Sequence, residues 1–331
     1  ELLERAQAGV RRAAAGGGAP ADIPEILVDL KRGARAGVLG RLEPESVVAL
    51  TQALGHVLAE GREPAARLRA GDGIGSDRFT AAAAALDAAH ACLLLLTAPG
   101  APKRLLSEDL IGAVLEVFCV QARRSVFVHL DGEAKQRYGA SEGPASRAAG
   151  EHTPGKETRS PRSSGAAGGS PAAKKRRAAG GASASSGGGE GAVALVLYHM
   201  VQLVSLLRDL FAAVKLPEHM VTGLLRTLCE AVGMPRLQML QAPATAVISK
   251  VFELYPDLRD FIFEELHEVV ISRRPTGKHA ERSFLLPDED VFIQTSTAVA
   301  MQCLQAGVEL PRVGPPDGAG PQALKEGFDA L

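Results

Sequence analysis

The chain has 331 residues, 46% of them hydrophobic, with a formal net charge of −1 and an aromatic content of 4% that includes no tryptophan. That length and apolar fraction exclude a wholly disordered chain and allow a sizeable core, built here from Leu, Val and Ala, in one large or two ordinary domains. The near-zero charge is a cancellation: Gly139 to Gly191 holds eight Lys/Arg against four Glu, so a basic insert interrupts a mildly acidic body and is suited to meet an anionic partner.

Residues 1–43 read as a weakly helical N-terminal segment, with short apolar patterns at Leu2 to Ala15 and Ile23 to Arg32 separated by Gly16-Gly17-Gly18. Residues 44–138 form a first block of helical repeats. Pro44 stands where a first helical turn accepts proline, and Val47, Val48, Leu50, Leu54, Val57 and Leu58 recur at helical spacing up to Gly61. The Gly71 to Gly75 stretch is expected to be a flexible connection. A helix follows from Phe79 to Leu96, stopped by Thr97-Ala98-Pro99-Gly100. Ser107 is a natural N-cap, with Glu108 and Asp109 in the first turn where the helix dipole favours them, and the pattern that follows runs to about Val128.

Residues 139–191 are Gly, Ser, Ala, Pro and charge without periodic apolar positions; such a stretch cannot offset the entropy of folding and is expected to be disordered. Helical repeats resume over residues 192–310, with elements at Val193 to Val214, Pro217 to Val232, Leu237 to Tyr255, Leu258 to Ile271 and Glu289 to Ala306. Residues 311–331 read as a flexible tail. No sustained period-two alternation occurs, so no sheet is expected. Two helices joined at Tyr255-Pro256-Asp257 cannot bury both their faces alone; such a pair is the unit of an α-solenoid, whose neighbours complete the core. The expected fold is all-α, and its expected business is binding.

Sequence motifs give an enzyme reading nothing to stand on. Cys92, Cys119, Cys229 and Cys303 stand singly in apolar patterns, without CxxC or Cys/His ligand spacing, and read as small buried hydrophobes in a reducing compartment. Glu264 and His267 make one Glu-x-x-His, but a second copy and further facing glutamates are missing. Ile271 stands where HExxH needs its second histidine. No P-loop or nucleophile elbow occurs, and no metal or cofactor is expected. With no signal peptide and no run of eighteen apolar residues, a soluble intracellular protein is expected. Its start at Glu1 suggests a piece of something longer.

Two clusters remain. Lys174-Lys175-Arg176-Arg177, with Ser160-Pro161 and Ser170-Pro171 nearby as phosphorylation candidates, has the form of a nuclear-localisation or DNA-tethering run. Arg273, Arg274, Lys278, His279 and Arg282 sit between helices, where a scaffolded loop can present cations to DNA phosphates. A solvated loop, or an edge that binds an acidic protein partner, accounts for the same charges.

The residues also carry a family resemblance. Ala91-Cys92-Leu93 to Thr97-Ala98-Pro99, Pro102-Lys103 and Glu108 to Ile111 are similar to the early helical region of the cohesin loader (adherin, Nipped-B-like) family. So are Leu197-Tyr198, Leu237-Gln238, Val251-Phe252, Tyr255, Arg259, Ile262 and Glu264-Glu265. Pro275-Thr276-x-Lys278-x-x-x-Arg282-x-Phe284-x-Leu286 resembles the family's basic loop, followed by a helix starting near Val291 to Gln294. The resemblance spans roughly Phe79 to Gln305. It implies a HEAT-repeat hook, not itself an enzyme, that helps load the cohesin ring onto chromatin in the nucleus for sister chromatid cohesion, with related roles in DNA repair and transcription control. The implied partners are double-stranded DNA; the cohesin Smc–kleisin complex, mainly through regions outside this chain; and a TPR-repeat subunit, through a more N-terminal region. Lys278 and His279 are the first implied DNA contacts, with Arg282, Arg274 and Arg273 in support. Glu281 and the long insert depart from the family pattern.

Overall fold

The computed structural model describes residues 2–15, 22–139, 187–272, 283–285 and 292–307. Its helices are α1 (Leu2–Ala15), α2 (Ile23–Arg35), α3 (Pro44–Arg62), α4 (Asp77–Leu96), α5 (Glu108–Gln121), α6 (Val128–Leu130), α7 (Gly132–Gly139), α8 (Gly187–Ala213), α9 (Glu218–Gly233), α10 (Gln238–Leu254), α11 (Arg259–Leu266) and α12 (Thr295–Gly307). A π-helical turn, Ala122–Phe127, joins α5 to α6, and a second, His267–Ser272, extends α11.

These helices stack in two rows. One row is α1, α3, α5, α9 and α11, each packed on the next; the other is α2, α4, α8, α10 and α12. The chain alternates between rows, so five antiparallel pairs stack side by side, the geometry of an α-solenoid in which each unit completes its neighbours' core. We call the rows A and B.

Local sequence sets the ends of the elements. Ser76 caps α4 by accepting the Phe79 N–H at 3.2 Å, and Ser107 caps α5 by accepting from Leu110 at 3.3 Å. Helix α4 is buried at every position from Leu86 to Leu96, because α2, α3, α5 and α8 surround it. Its many alanines let four helices approach, while its leucines contribute about 1.5–3 kcal/mol each on burial. Close approach is extreme at Gly61, where an added Cβ would stand 2.1 Å from the Ala85 Cβ of α4. Helices α4 and α8 are both long and apolar enough to cross a bilayer by length and composition. Within the solenoid, consecutive B-row positions account for that composition, with α4 largely buried and Leu195 and Tyr198 of α8 exposed.

Several expectations are corrected. The N-terminal segment read as weak is a packed helix pair, with Val10, Ile23 and Leu30 fully buried, because α1 and α2 lean on α3 and α4. Helix α8 begins at Gly187, inside the stretch assigned to the insert, and its Gly189 packs beside the Gly71 backbone. Residues 140–186, the bulk of the expected disordered insert, lie outside the described residues, as do 308–331.

A small antiparallel sheet, unexpected from the sequence, pairs β1 (Ser283–Leu285) with β2 (Phe292–Gln294), Phe284 opposite Ile293. The helix expected from Glu289 therefore starts at Thr295. Three-residue strands are too short for alternation to register, and Phe284, 2% exposed, is fixed by tertiary packing beside α10 and α12. The Gly71 to Gly75 stretch is a built turn: Asp72 Oδ2 accepts the Arg69 N–H at 2.7 Å, and Ser76 N–H donates to Gly73 O at 3.0 Å.

Candidate functional site

Alternation between rows sends every A-to-B connection to one edge of the solenoid and every B-to-A connection to the other. Among the described residues, 63–76, 122–139 and 234–237 belong to the first edge. Residues 36–43, 97–107, 214–217 and 255–258 belong to the second.

The first edge is built from the end of α5 outward. Gln121, fully buried, donates through Nε2 to Gly61 O at 2.8 Å and Ala66 O at 3.0 Å, tying down the start of the 63–76 connection. Its Oε1 accepts from Ser125 Oγ at 2.6 Å, and Ser125 Oγ accepts the Leu68 N–H at 3.0 Å. This chain of bonds leaves no buried polar atom of the side chain unmatched, and it holds residues 66–70 against the π turn. Arg78 adds bonds to Pro64 O at 2.9 Å and Arg67 O at 3.1 Å.

On the other flank, α7 crosses the end of α9. Glu230, 9% exposed, receives Arg123 and Arg137 at 3.3 Å each and the Tyr138 hydroxyl at 2.5 Å. The guanidiniums of Arg123, Arg124 and Arg137 stand within 6 Å of the Tyr138 ring, and Arg124 also donates to the Tyr138 carbonyl. Burial, followed by the Glu230 carboxylate, pushes the Tyr138 phenol up, so it stays a donor at neutral pH.

Between these flanks lies a cleft of about 500 Å³ lined by Arg67, Arg69, Arg124, His129, Lys135 and Asp131, with apolar and backbone atoms beneath. The Asp131 Oδ1 accepts the N–H groups of Glu133 and Ala134 at 2.7 and 3.1 Å, starting α7. The lining is therefore predominantly cationic, an arrangement suited to binding anions.

Lys278, His279, Arg282, Arg274 and Arg273 lie outside the described residues, and so do Lys174, Lys175, Arg176 and Arg177. The cleft itself escaped the sequence reading, because Arg69, Arg124 and Lys135 are far apart in sequence and no motif joins them. Among the described residues, no group of three His, Cys, Asp or Glu side chains comes together to hold a metal. The cysteines are free, and burial pushes the Cys92 thiol up to about 12 and Cys303 to about 11, which removes them as nucleophiles.

No family model and no curated protein matches this chain. Among solved structures it is similar to the C-terminal fragment of the cohesin loader SCC2 of Chaetomium thermophilum, with a TM-score of 0.59 over 92% of this chain at 13% sequence identity. The two share a fold. This chain spans 22% of the length of that fragment, and its row-by-row stacking is a segment of a HEAT-repeat α-solenoid. The order in which the chain visits its helices, rather than matched side chains, carries that likeness.

Proposed function

We propose that this chain is a segment of a cohesin-loading scaffold that lays its A-to-B edge along the backbone of double-stranded DNA and takes no catalytic part itself. The observation that carries the reading is the solenoid's likeness to a cohesin loader over 92% of the chain. Its charge distribution supports it: the cationic cleft lies on the A-to-B edge, and in chain order each of the two basic segments singled out in the sequence falls between an A-row and a B-row helix. Phosphate contacts of this kind position a protein without reading sequence, so little site preference is expected. In this reading Lys278 and His279 touch DNA first, with Arg282, Arg274 and Arg273 beside them, and Lys174 to Arg177 act as a tether and nuclear address. The cohesin Smc–kleisin ring is engaged mainly through regions outside this segment, and a TPR-repeat subunit through a more N-terminal one. The protein then works on chromatin in the nucleus, and roles in repair and transcription control follow from where cohesin is placed.

A salt titration of duplex binding tests it, comparing wild type with Lys278→Glu/His279→Glu and with a deletion of residues 139–191. The charge reversal should weaken binding about tenfold at moderate salt and reduce the slope of log K against log salt by about one to two. Loss in the deletion alone would move the binding to the insert. No duplex binding by wild type would favour the acidic-protein adaptor.

A further inference from the structure

The cationic cleft has a second property, which concerns where the 140–186 insert is rooted. Gly139, the last described residue before the insert, lines the cleft beside Lys135 and Tyr138. At the far end of the insert, Gly189 of α8 stands against Gly71 and Asp72, on the flank formed by the 67–72 connection. One root of the insert thus lines the cleft, and the other stands beside Gly71, next to the lining residue Ala70. The insert carries Ser160-Pro161 and Ser170-Pro171, and a serine followed by proline is the acceptor pattern of proline-directed kinases.

We propose that the cleft is a phosphate-recognition site whose ligand is a phosphoserine of the same chain, at position 160 or 170. A proline-directed kinase forms the bond from serine Oγ to the γ-phosphorus of ATP, breaks the bond from that phosphorus to the bridging oxygen, and releases ADP and the hydroxyl proton. The resulting group carries close to two negative charges at neutral pH and three strong acceptor oxygens. Lys135 supplies a point charge, Arg69 and Arg124 add guanidinium charge, Arg124 while also donating to the Tyr138 carbonyl, and His129, whose Nε2 lies 3.2 Å from Leu68 O, adds its ring. Guanidiniums match phosphate oxygens in pairs, which makes these bonds the strong, charge-assisted kind. Tethering adds to this. A ligand carried in the same chain meets its site at an effective concentration of roughly millimolar, so a modest intrinsic affinity is enough to fill the cleft. At about 3.4 Å per extended residue, either serine reaches it from Gly139. The proposal does not depend on the cohesin-loading reading, since it requires neither DNA nor cohesin.

The test uses the full chain, unphosphorylated, and a fluorescent peptide of residues 155–175 bearing phosphate on both serines, beside the same peptide without phosphate. Anisotropy should show the phosphopeptide binding at least tenfold more tightly. Arg69→Glu/Lys135→Glu should erase that preference, whereas Arg12→Glu/Arg32→Glu, which reverses charge on α1 and α2, should keep it. Arg69→Gln/Lys135→Gln, a milder change at the same exposed positions, should reduce it partway and guards against misfolding. Equal binding of the two peptides, or a preference retained by the Glu variant, overturns the proposal. So does a wild type indifferent to peptide phosphate whose duplex binding is lost in the Glu variant, because the cleft is then a DNA contact.

Discussion

The two edges of this solenoid solve opposite problems with the same helices. On the B-to-A edge the connections are short and lock onto each other through the backbone. Gly40 lies so close to the next connection that an added Cβ would stand 1.8 Å from Pro99 O. The Tyr255 hydroxyl accepts the Leu216 N–H at 2.7 Å and donates to Leu216 O at 3.2 Å. On the A-to-B edge the 63–76 connection and the cleft beside it are cationic, and polar side chains (Gln121, Ser125, Arg78 and Glu230) hold their roots. Both π turns occur here, at the ends of the A-row helices α5 and α11, as π turns tend to do at functional places. One edge holds the repeats in register, and the other is free to vary and to carry charge.

If that division is right, the largest loss of stability should come from the locked edge. Gly40→Ala forces backbone apart from backbone and should cost about 3 kcal/mol, the upper part of the range for overpacking, seen as a lower urea midpoint. Gln121→Leu attacks the roots of the other edge. It leaves Gly61 O and Ala66 O without their buried donor and should cost about 2–3 kcal/mol. It should also speed proteolysis within residues 66–70, a local effect that Gly40→Ala does not share.

Packing within row B offers a pH test. Burial first, and then Lys31 of α2, pushes His90 down to about 4; Asp87 on its own helix opposes this, and His199 of α8 adds to it. His199 Nδ1 lies 2.7 Å from Asp87 Oδ1. A histidine depressed in the folded state binds its proton more readily when unfolded, so its contribution is complete above the unfolded value near 6.5 and is lost as pH falls from there toward 4. Between pH 7.5 and 5.0 wild type should lose about 2 kcal/mol more than His90→Gln does. Parallel losses in the two proteins would remove His90 as the cause. Tyr255→Phe, back on the locked edge, strips both buried Leu216 groups of one partner and should cost about 1–2 kcal/mol at either pH.

How much of this was legible in sequence differs between the same regions. Helix α1 was read residue for residue from its apolar spacing, and Ser107 declared the start of α5, because periodicity and capping are local. The stacking of pairs was legible in the helices around Tyr255-Pro256. The cleft was not: Gln121 and Ser125 read only as helix interior, and their meaning comes from Gly61, Ala66 and Leu68 across a helix pair. The β1–β2 pairing was hidden for the same reason, since Phe284 takes its conformation from α10 and α12. The basic segments were conspicuous in the sequence, and they lie outside the described residues.

The smallest expected effect is the most discriminating. Arg69→Glu/Lys135→Glu changes two exposed side chains on the A-to-B edge, and surface substitutions away from buried networks fall within about 0.5 kcal/mol. The urea midpoint and cooperativity should match wild type even where anion binding is lost. A loss near that of Gln121→Leu would instead mean that the cleft lining helps to hold the second and third helix pairs together, and the two edges would then differ in degree rather than in kind. An unchanged midpoint places the cleft's cations outside the folding problem, which is where a surface kept for a ligand should be.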